Sequence, residues 1–301
     1  MQEFIHKIVP IILAFFLGIF IKKIKLLKKD DGHLLLKLVL SVTLPALQIL
    51  SILRLQLTWS LFFIPLIAQM IIIIVYFVSL GTGRLLKLPK GTMGSFLVGT
   101  MIMNTSFSLP FFFAAFGQEG FARATLFDVG NSFLIFTFIY YNAIKYGENS
   151  QHHAKVDWIK FLKLPPLWGL VIGVVMRLVN IQLPEIGMNF LSLVGNPTTP
   201  LIMISLGLFF EPKLKNLDKA LLAIFIRMVG GLGLGILLSS LFHLQGMNRT
   251  IVIASASTPI GFNTLIFASL EGMDEEFAAT CVSISILIAI VYLPAVIYLF
   301  T

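Results

Sequence analysis

Prolines, glycines and basic residues recur along this chain at one fixed spacing. Pro10 and Pro165, Gly18 and Gly173, Lys22 and Arg177, Pro45 and Pro200, and Gly117 and Gly272 each lie 155 residues apart. Proline fixes φ and removes a backbone donor, and glycine admits conformations closed to other residues. A constant offset between them therefore marks a repeated backbone geometry, not merely a repeated composition. The stretches between these landmarks carry the same apolar profile, so the fold has to accommodate two copies of one unit.

That unit is built for a non-aqueous solvent. The chain of 301 residues is 57% hydrophobic and 12% charged, against about 25% charged in a soluble domain. Its 28 phenylalanines exceed what a water-soluble core needs and suit surfaces that face lipid. A formal charge of +8 would point to nucleic acid in a soluble protein, but here the basic residues cluster in short loops between apolar runs. They report membrane topology instead, and no nucleic acid partner is expected. The single cysteine, Cys281, lies in an apolar run, which excludes a disulfide framework and a thiolate metal site. The run from Phe4 to Ile21 ends in Lys22 and Lys23 without a small-residue cleavage site, and reads as a retained first span.

Stretches able to cross a hydrocarbon core roughly 30 Å thick fall near 4–21, 33–53, 60–83, 93–116 and 122–144. A second series follows near 164–181, 186–210, 217–242, 247–269 and 276–300. Five spans per copy is an odd number, so the second copy enters the membrane inverted. The expected fold is an all-α membrane protein of ten transmembrane helices arranged as a 5+5 inverted repeat. Its segments are a first repeat at 1–146, a cytoplasmic linker at 147–163 and a second repeat at 164–301. Loop charges bear on this independently: odd-numbered loops hold sixteen Lys and Arg residues and even-numbered loops hold four, Arg54, Arg123, Arg177 and Arg249. The positive-inside rule then puts the odd loops in the cytoplasm of a cell (inner) membrane and both termini outside it. The ninth loop, with Glu271, Asp274, Glu275 and Glu276, is an acidic exception. His152 and His153 in the linker have no further ligands nearby, so no metal site is expected there.

Two spans at equivalent places in the copies are polar. The fourth reads Asn104-Thr105-Ser106-Phe107-Ser108-Leu109-Pro110, and the ninth runs from Ser255 through Pro259 and Asn263 to Thr264. Proline removes a donor and clashes with the carbonyl one turn earlier, so each helix is predicted to kink or unwind near mid-membrane. Many membrane helices kink at proline without further consequence. Matching breaks that each carry an asparagine favour a cavity instead, because unwound backbone survives at that depth only where it lines one or is buried in protein. Half-helix N-termini there can face a bound anion, and Asn, Ser and Thr side chains supply neutral donors. The predicted substrate-binding residues are Asn104, Thr105, Ser108, Pro110, Pro259, Asn263 and Thr264.

Asn104 with Pro110, the Pro259-x-x-x-Asn263 pattern with its following Gly272, and the ten-span arrangement resemble the auxin efflux carrier family. These bacterial permeases are related to plant PIN-type carriers within the bile acid/sodium symporter-like superfamily. The resemblance covers essentially the whole chain. It implies a transport core around crossing broken helices four and nine, a second bundle of helices one, two, six and seven, and elevator-like movement of small organic anions. The family's first crossing often reads Asn-Thr-Gly-x-x-Gly-x-Pro; here both glycines are absent and Asn104 to Pro110 is one residue shorter.

Ionisable residues inside spans are costly and face protein or water. Asp128 in the fifth span and Arg227 in the eighth either neutralise one another or serve function. On the functional reading Asp128 is an ion-coupling site, with Asn131 and Ser132 adding oxygen ligands for a proton or a sodium ion. No other cofactor is expected. The cluster Gly230, Gly231, Gly233 and Gly235 follows no strand and reads as helix packing, not as a nucleotide loop. The expected function is a secondary active transporter for a small organic anion, a carboxylate foremost, by alternating access. A sodium or proton antiporter and a transporter-like sensor are the alternatives; the antiporter should concentrate carboxylates at its breaks, and the sensor should carry a signalling domain. No Ser/His/Asp set or paired catalytic carboxylates point to an enzyme. A homodimer in the bilayer is compatible with these features.

Overall fold

With no water in the hydrocarbon core, backbone N–H and C=O groups must pair within the segment, and helices do this alone. In a computed structural model that describes residues 2–55, 58–148, 162–211 and 214–301, every regular element among them is helical. His152, His153 and most of the linker fall outside the described residues.

The first half contains α1 (Gln2–Lys23), α2 (Lys29–Leu38), α3 (Leu44–Arg54), α4 (Ser60–Leu85), α5 (Lys90–Met101), α6 (Thr105–Leu134) and α7 (Tyr140–Tyr146). The second contains α8 (Pro165–Leu178), α9 (Glu185–Gly195), α10 (Thr198–Phe209), α11 (Leu217–Phe225), α12 (Gly231–Leu241), α13 (Gly246–Ala256), α14 (Asn263–Glu271) and α15 (Glu275–Phe300). Single π-helical turns join α2 to α3, α6 to α7 and α11 to α12. Among the described residues, seven helical stretches are long and apolar enough to cross a membrane: Phe4–Lys23, Lys29–Arg54, Ser60–Leu85, Thr105–Tyr146, Glu185–Phe209, Leu217–Leu241 and Glu275–Phe300. The segment expected near 164–181 holds the shorter apolar helix α8, of 14 residues. Those expected near 93–116 and 247–269 are both interrupted, the first between α5 and α6 and the second between α13 and α14.

The 155-residue offset recurs in the backbone. Gly117 and Gly272 both pass through positive φ, at 63° and 69°, and so do Lys25 and Asn180, at 59° and 55°. Such left-handed residues end helices and reverse the chain. Gly117 lies within α6 and divides it into two helical limbs. Thr198 donates from Oγ1 to Thr43 Oγ1 at 2.9 Å, so two residues at that offset also touch.

The chain forms two compact units, each drawing on both halves of the sequence. One comprises Met1–Thr58, Ser106–Thr125 and Leu162–Phe210, and so contains helices one, two, six and seven of the family resemblance. Within it α1 packs on α10 and α3 on α8. Gly18 and Gly207 bring the α1 and α10 backbones into direct contact, since a Cβ on either would strike the other's main chain. Gly173, the offset partner of Gly18, meets Ile49 and Ile52 of α3 in the same manner. Lys22 donates to the Phe210 carbonyl at 2.7 Å, and Arg177 to the Leu55 carbonyl at 3.0 Å.

The other unit comprises Trp59–Thr105, Leu126–Phe161 and Glu211–Thr301. Its helix ends are tied in two sets. Lys90 Nζ donates to the Gly147 carbonyl at 3.0 Å and the Asp274 amide to the Gly91 carbonyl at 3.3 Å. Asn248 Nδ2 donates to Ser60 Oγ at 2.8 Å, and Thr250 Oγ1 to the Phe300 carbonyl. In both units these ties join odd-numbered connections to odd, or even-numbered ones to even and to the C-terminus.

Candidate functional site

The two interruptions meet. α5 stops at Met101, Ile102 is extended (φ −78°, ψ 117°), and α6 starts at Thr105. α13 stops at Ala256, and α14 restarts at Asn263. Between these ends Met103 and Ile260 pair as a short antiparallel ladder. The Asn104 amide donates to the Pro259 carbonyl at 3.0 Å and the Gly261 amide to the Ile102 carbonyl at 3.2 Å. Unwound backbone in an apolar interior leaves costly orphan groups, and here each strand satisfies the other's.

Two side chains complete the crossing. Asn131 accepts the Met103 amide on Oδ1 at 3.4 Å and donates from Nδ2 to the Met103 carbonyl at 3.0 Å. Ser285 Oγ, from α15, accepts the Ile260 amide at 3.1 Å. Asn131 was expected as an oxygen ligand, but its carbonyl is held by a backbone donor. The backbone N–H also fixes which end of the amide is which. Ser285 gave no sequence signal beyond one hydroxyl in an apolar run.

The residues expected to bind substrate divide in two. Asn104 is buried, and its Nδ2 donates to the Ile260 carbonyl at 3.4 Å, so it clasps the opposite strand. Pro259 contributes its carbonyl to the same clasp. Thr105 donates from Oγ1 to Asp128, which also accepts from Asn131 Nδ2 at 3.2 Å and from the Ser132 side chain. Asn263 opens α14 and is partly exposed. Thr264 is fully buried, and its Oγ1 has no hydrogen-bond partner. Ser108 and Pro110 lie past Thr105 on α6, in the segment Ser106–Thr125 of the first unit. The break in the fourth segment is correspondingly not at Pro110: pairing of Met103 with Ile260 draws residues 102–104 out of helix first, and Pro110 sits inside the restarted helix.

Asp128 and Arg227 do not neutralise one another, since they bond different partners. Arg227 is fully buried on the π-helical turn between α11 and α12. Its Nη1 donates to the Thr100 carbonyl at 3.1 Å and the Met101 carbonyl at 3.5 Å, and Nη2 to the Ala256 carbonyl. These are among the last carbonyls of α5 and α13, which have no partner within their own helices. Gly231 makes the approach feasible, because a Cβ there would meet both the Ala256 carbonyl and the guanidinium.

The sequence model of the membrane transport protein family matches residues 3–297. The chain belongs to that family. Relatives agree with this along their length: it is 25% identical over 285 residues, covering 91% of this chain and 92% of its counterpart, to an uncharacterized transporter of Methanocaldococcus jannaschii. An uncharacterized transporter of Methanothermobacter thermautotrophicus is 25% identical over 294 residues, 95% of each chain. A local match, 29% identical over 141 residues, covers 44% of this chain and 22% of auxin efflux carrier component 2 of Oryza sativa subsp. japonica. The resemblance to auxin efflux carriers is thus shown, and this family member is an integral membrane transporter.

The transporter has a polar concavity of about 610 Å³, lined among others by Gly91, Thr92, Glu148, Lys215, Met273 and Asp274. Asp274 caps α15, accepting the Phe277 amide at 3.1 Å, Thr92 Oγ1 at 2.9 Å and Lys215 Nζ at 3.2 Å. Burial alone would raise its carboxyl, but these donors outweigh that and hold it below the usual carboxylate range.

Proposed function

We propose that this transporter carries a small organic anion, a mono- or dicarboxylate, by alternating access. The observation that carries the reading is the crossing itself. Two helices are interrupted at one crossing, and their second halves restart from it at Thr105 and Asn263. Helix N-termini present unpaired amides and partial positive charge, while Asn263 and Thr264 add neutral donors that hold a carboxylate without burying a fixed counter-charge. Residues Thr105, Pro259, Asn263 and Thr264 form the proposed site, and Asn104 holds its frame.

Counting each interrupted pair and α8 as crossings gives ten spans in a 5+5 inverted repeat, with both termini outside the inner membrane. The shared offset, the paired left-handed residues and the ties of odd loops to odd and even to even support this frame. The crossing lies within a single unit, so an elevator-like movement of that unit would transfer the site intact. Asp128, with Thr105, Asn131 and Ser132 around it, is the proposed coupling site.

The test is uptake into proteoliposomes over a panel of carboxylates, under imposed proton and sodium gradients in turn. Saturable uptake of at least one carboxylate is expected. Asn263→Ala should lower it roughly tenfold or more, the effect of removing a donor worth about 1.5 kcal/mol or more to a charged ligand, with Tm unchanged. Uptake of no carboxylate, or full uptake by Asn263→Ala, would refute the site.

A further inference from the structure

A fixed positive charge deep inside a membrane transporter needs a compensating negative one, and carboxylates are the usual source. Among the described residues Arg227 has none: its guanidinium donates to the carbonyls of Thr100, Met101 and Ala256. These carbonyls end α5 and α13, the two half-helices that run into the crossing. A helix C-terminus carries about half a negative charge, so two of them directed at one point amount to about one. Oxygen ligands around one unit of negative charge are what a monovalent metal cation binds, and broken-helix carriers place such ions at half-helix C-termini.

We propose that the Arg227 guanidinium is a tethered cation that permanently occupies the position a coupling sodium ion would take, so that this transporter works without sodium at its crossing. Met101 and Ala256 are themselves 155 residues apart, so one side chain spans the equivalent carbonyls of both copies. Only a planar, forked donor reaches two helix ends at once. The close approach is built in by Gly231, where any side chain would collide with the Ala256 carbonyl and with the guanidinium. Among the described residues, the carboxylate at the crossing, Asp128, does not supply an alternative sodium cage. Asp128 is faced by donors from Thr105, Asn131 and Ser132, and the Asn131 carbonyl oxygen is engaged by the Met103 amide. The inference deepens the transporter reading and, for its consequence in transport, rests on it: uptake should run equally with sodium or choline outside.

The test uses the purified full-length chain and needs no substrate. Thermal unfolding is measured in sodium chloride and in choline chloride at about 0.15 M ionic strength, where screening is matched. Wild-type Tm should be the same in both. Arg227→Ala should lower Tm by several degrees in choline, and sodium or millimolar guanidinium should recover part of the loss by entering the vacated position. Arg227→Met, which fills the space with an apolar side chain, should lose stability and recover with neither ion. Arg227→Lys, a charge without the fork, should fall between wild type and Arg227→Ala. A sodium-specific rise in wild-type Tm overturns the proposal, as does an identical ion response of the Ala and Met variants. If Arg227→Ala does not fold, the wild-type comparison and the Lys and Met variants still decide. Because no carboxylate enters the measurement, its failure and a failure of carboxylate uptake are separate results.

Discussion

Asn104 lies just before the restart of α6 and Asn263 opens α14, and the two meet different surroundings. Asn104 is buried against the opposite strand and spends a donor on the Ile260 carbonyl, whereas Asn263 opens a half-helix at a partly exposed position. Sequence marks both as polar residues in an apolar run and has no means to tell clasp from contact, because the difference lies in which carbonyl comes within reach across the crossing. Asp274 was equally visible only as one of several acids in an exceptional loop. Its value as a helix cap depends on Thr92 and Lys215, which are far away in sequence. This residue gives a pH prediction whose sign is fixed. A carboxyl held low in the folded state contributes stability that is fully present above its unfolded value, near 4, and is lost as pH falls through the folded value. Wild-type Tm should therefore drop below about pH 4 more steeply than that of Asp274→Ala. At neutral pH that variant should already have lost about 0.5–2 kcal/mol as an uncapped helix, read by thermal unfolding in detergent across a pH series. Parallel Tm curves for the two proteins would remove Asp274 from this role.

At the scale of elements, the interruption of two helices was legible from Pro259, from the paired asparagines and from the duplicated frame. Its location in the fourth segment was not. Proline rules argue locally and point to Pro110, while the actual break follows a backbone pairing between Met103 and Ile260 that no local signal encodes. Asn131 shows how much of that pairing depends on one neighbour: its amide bonds both the N–H and the C=O of Met103. Replacing it by Leu keeps the volume and removes both bonds, leaving the buried Met103 amide unpaired at about 1–3 kcal/mol, while the Met103 carbonyl keeps the Thr105 amide. Asn131→Leu should lower Tm and expose the segment around Met103 to faster hydrogen exchange, while the exchange of α1 and α10 stays as in wild type. Unchanged protection near Met103 would mean that the strand pairing holds without its side-chain clamp.

At the scale of the whole molecule, the repeat was readable because proline and glycine record backbone geometry directly, and the same offset reappears in the paired left-handed residues Lys25 and Asn180. The division into units was not readable from composition, since each unit interleaves segments from both halves and is defined by contacts far apart in the chain; only the family resemblance grouped the helices this way. What the duplicated frame does imply is sidedness. In the proposed frame of five spans per copy the odd connections share one face, and the polar concavity fits this, being lined by residues of the third, fifth, seventh and ninth connections, Gly91, Glu148, Lys215 and Asp274. The sixteen-to-four distribution of Lys and Arg is the ground on which that face is proposed as the cytoplasmic one. The single cysteine is buried, so a Cys281→Ser background allows cysteines to be placed one at a time. With a membrane-impermeant maleimide on intact cells, Gln245→Cys and Thr301→Cys should label, while Lys87→Cys and Lys215→Cys should label only after permeabilisation. The reverse pattern would keep the frame and turn it over. Labelling of Lys87→Cys and Thr301→Cys from one side would mean an even number of crossings between them, and an inverted repeat of five spans per copy would no longer describe the chain.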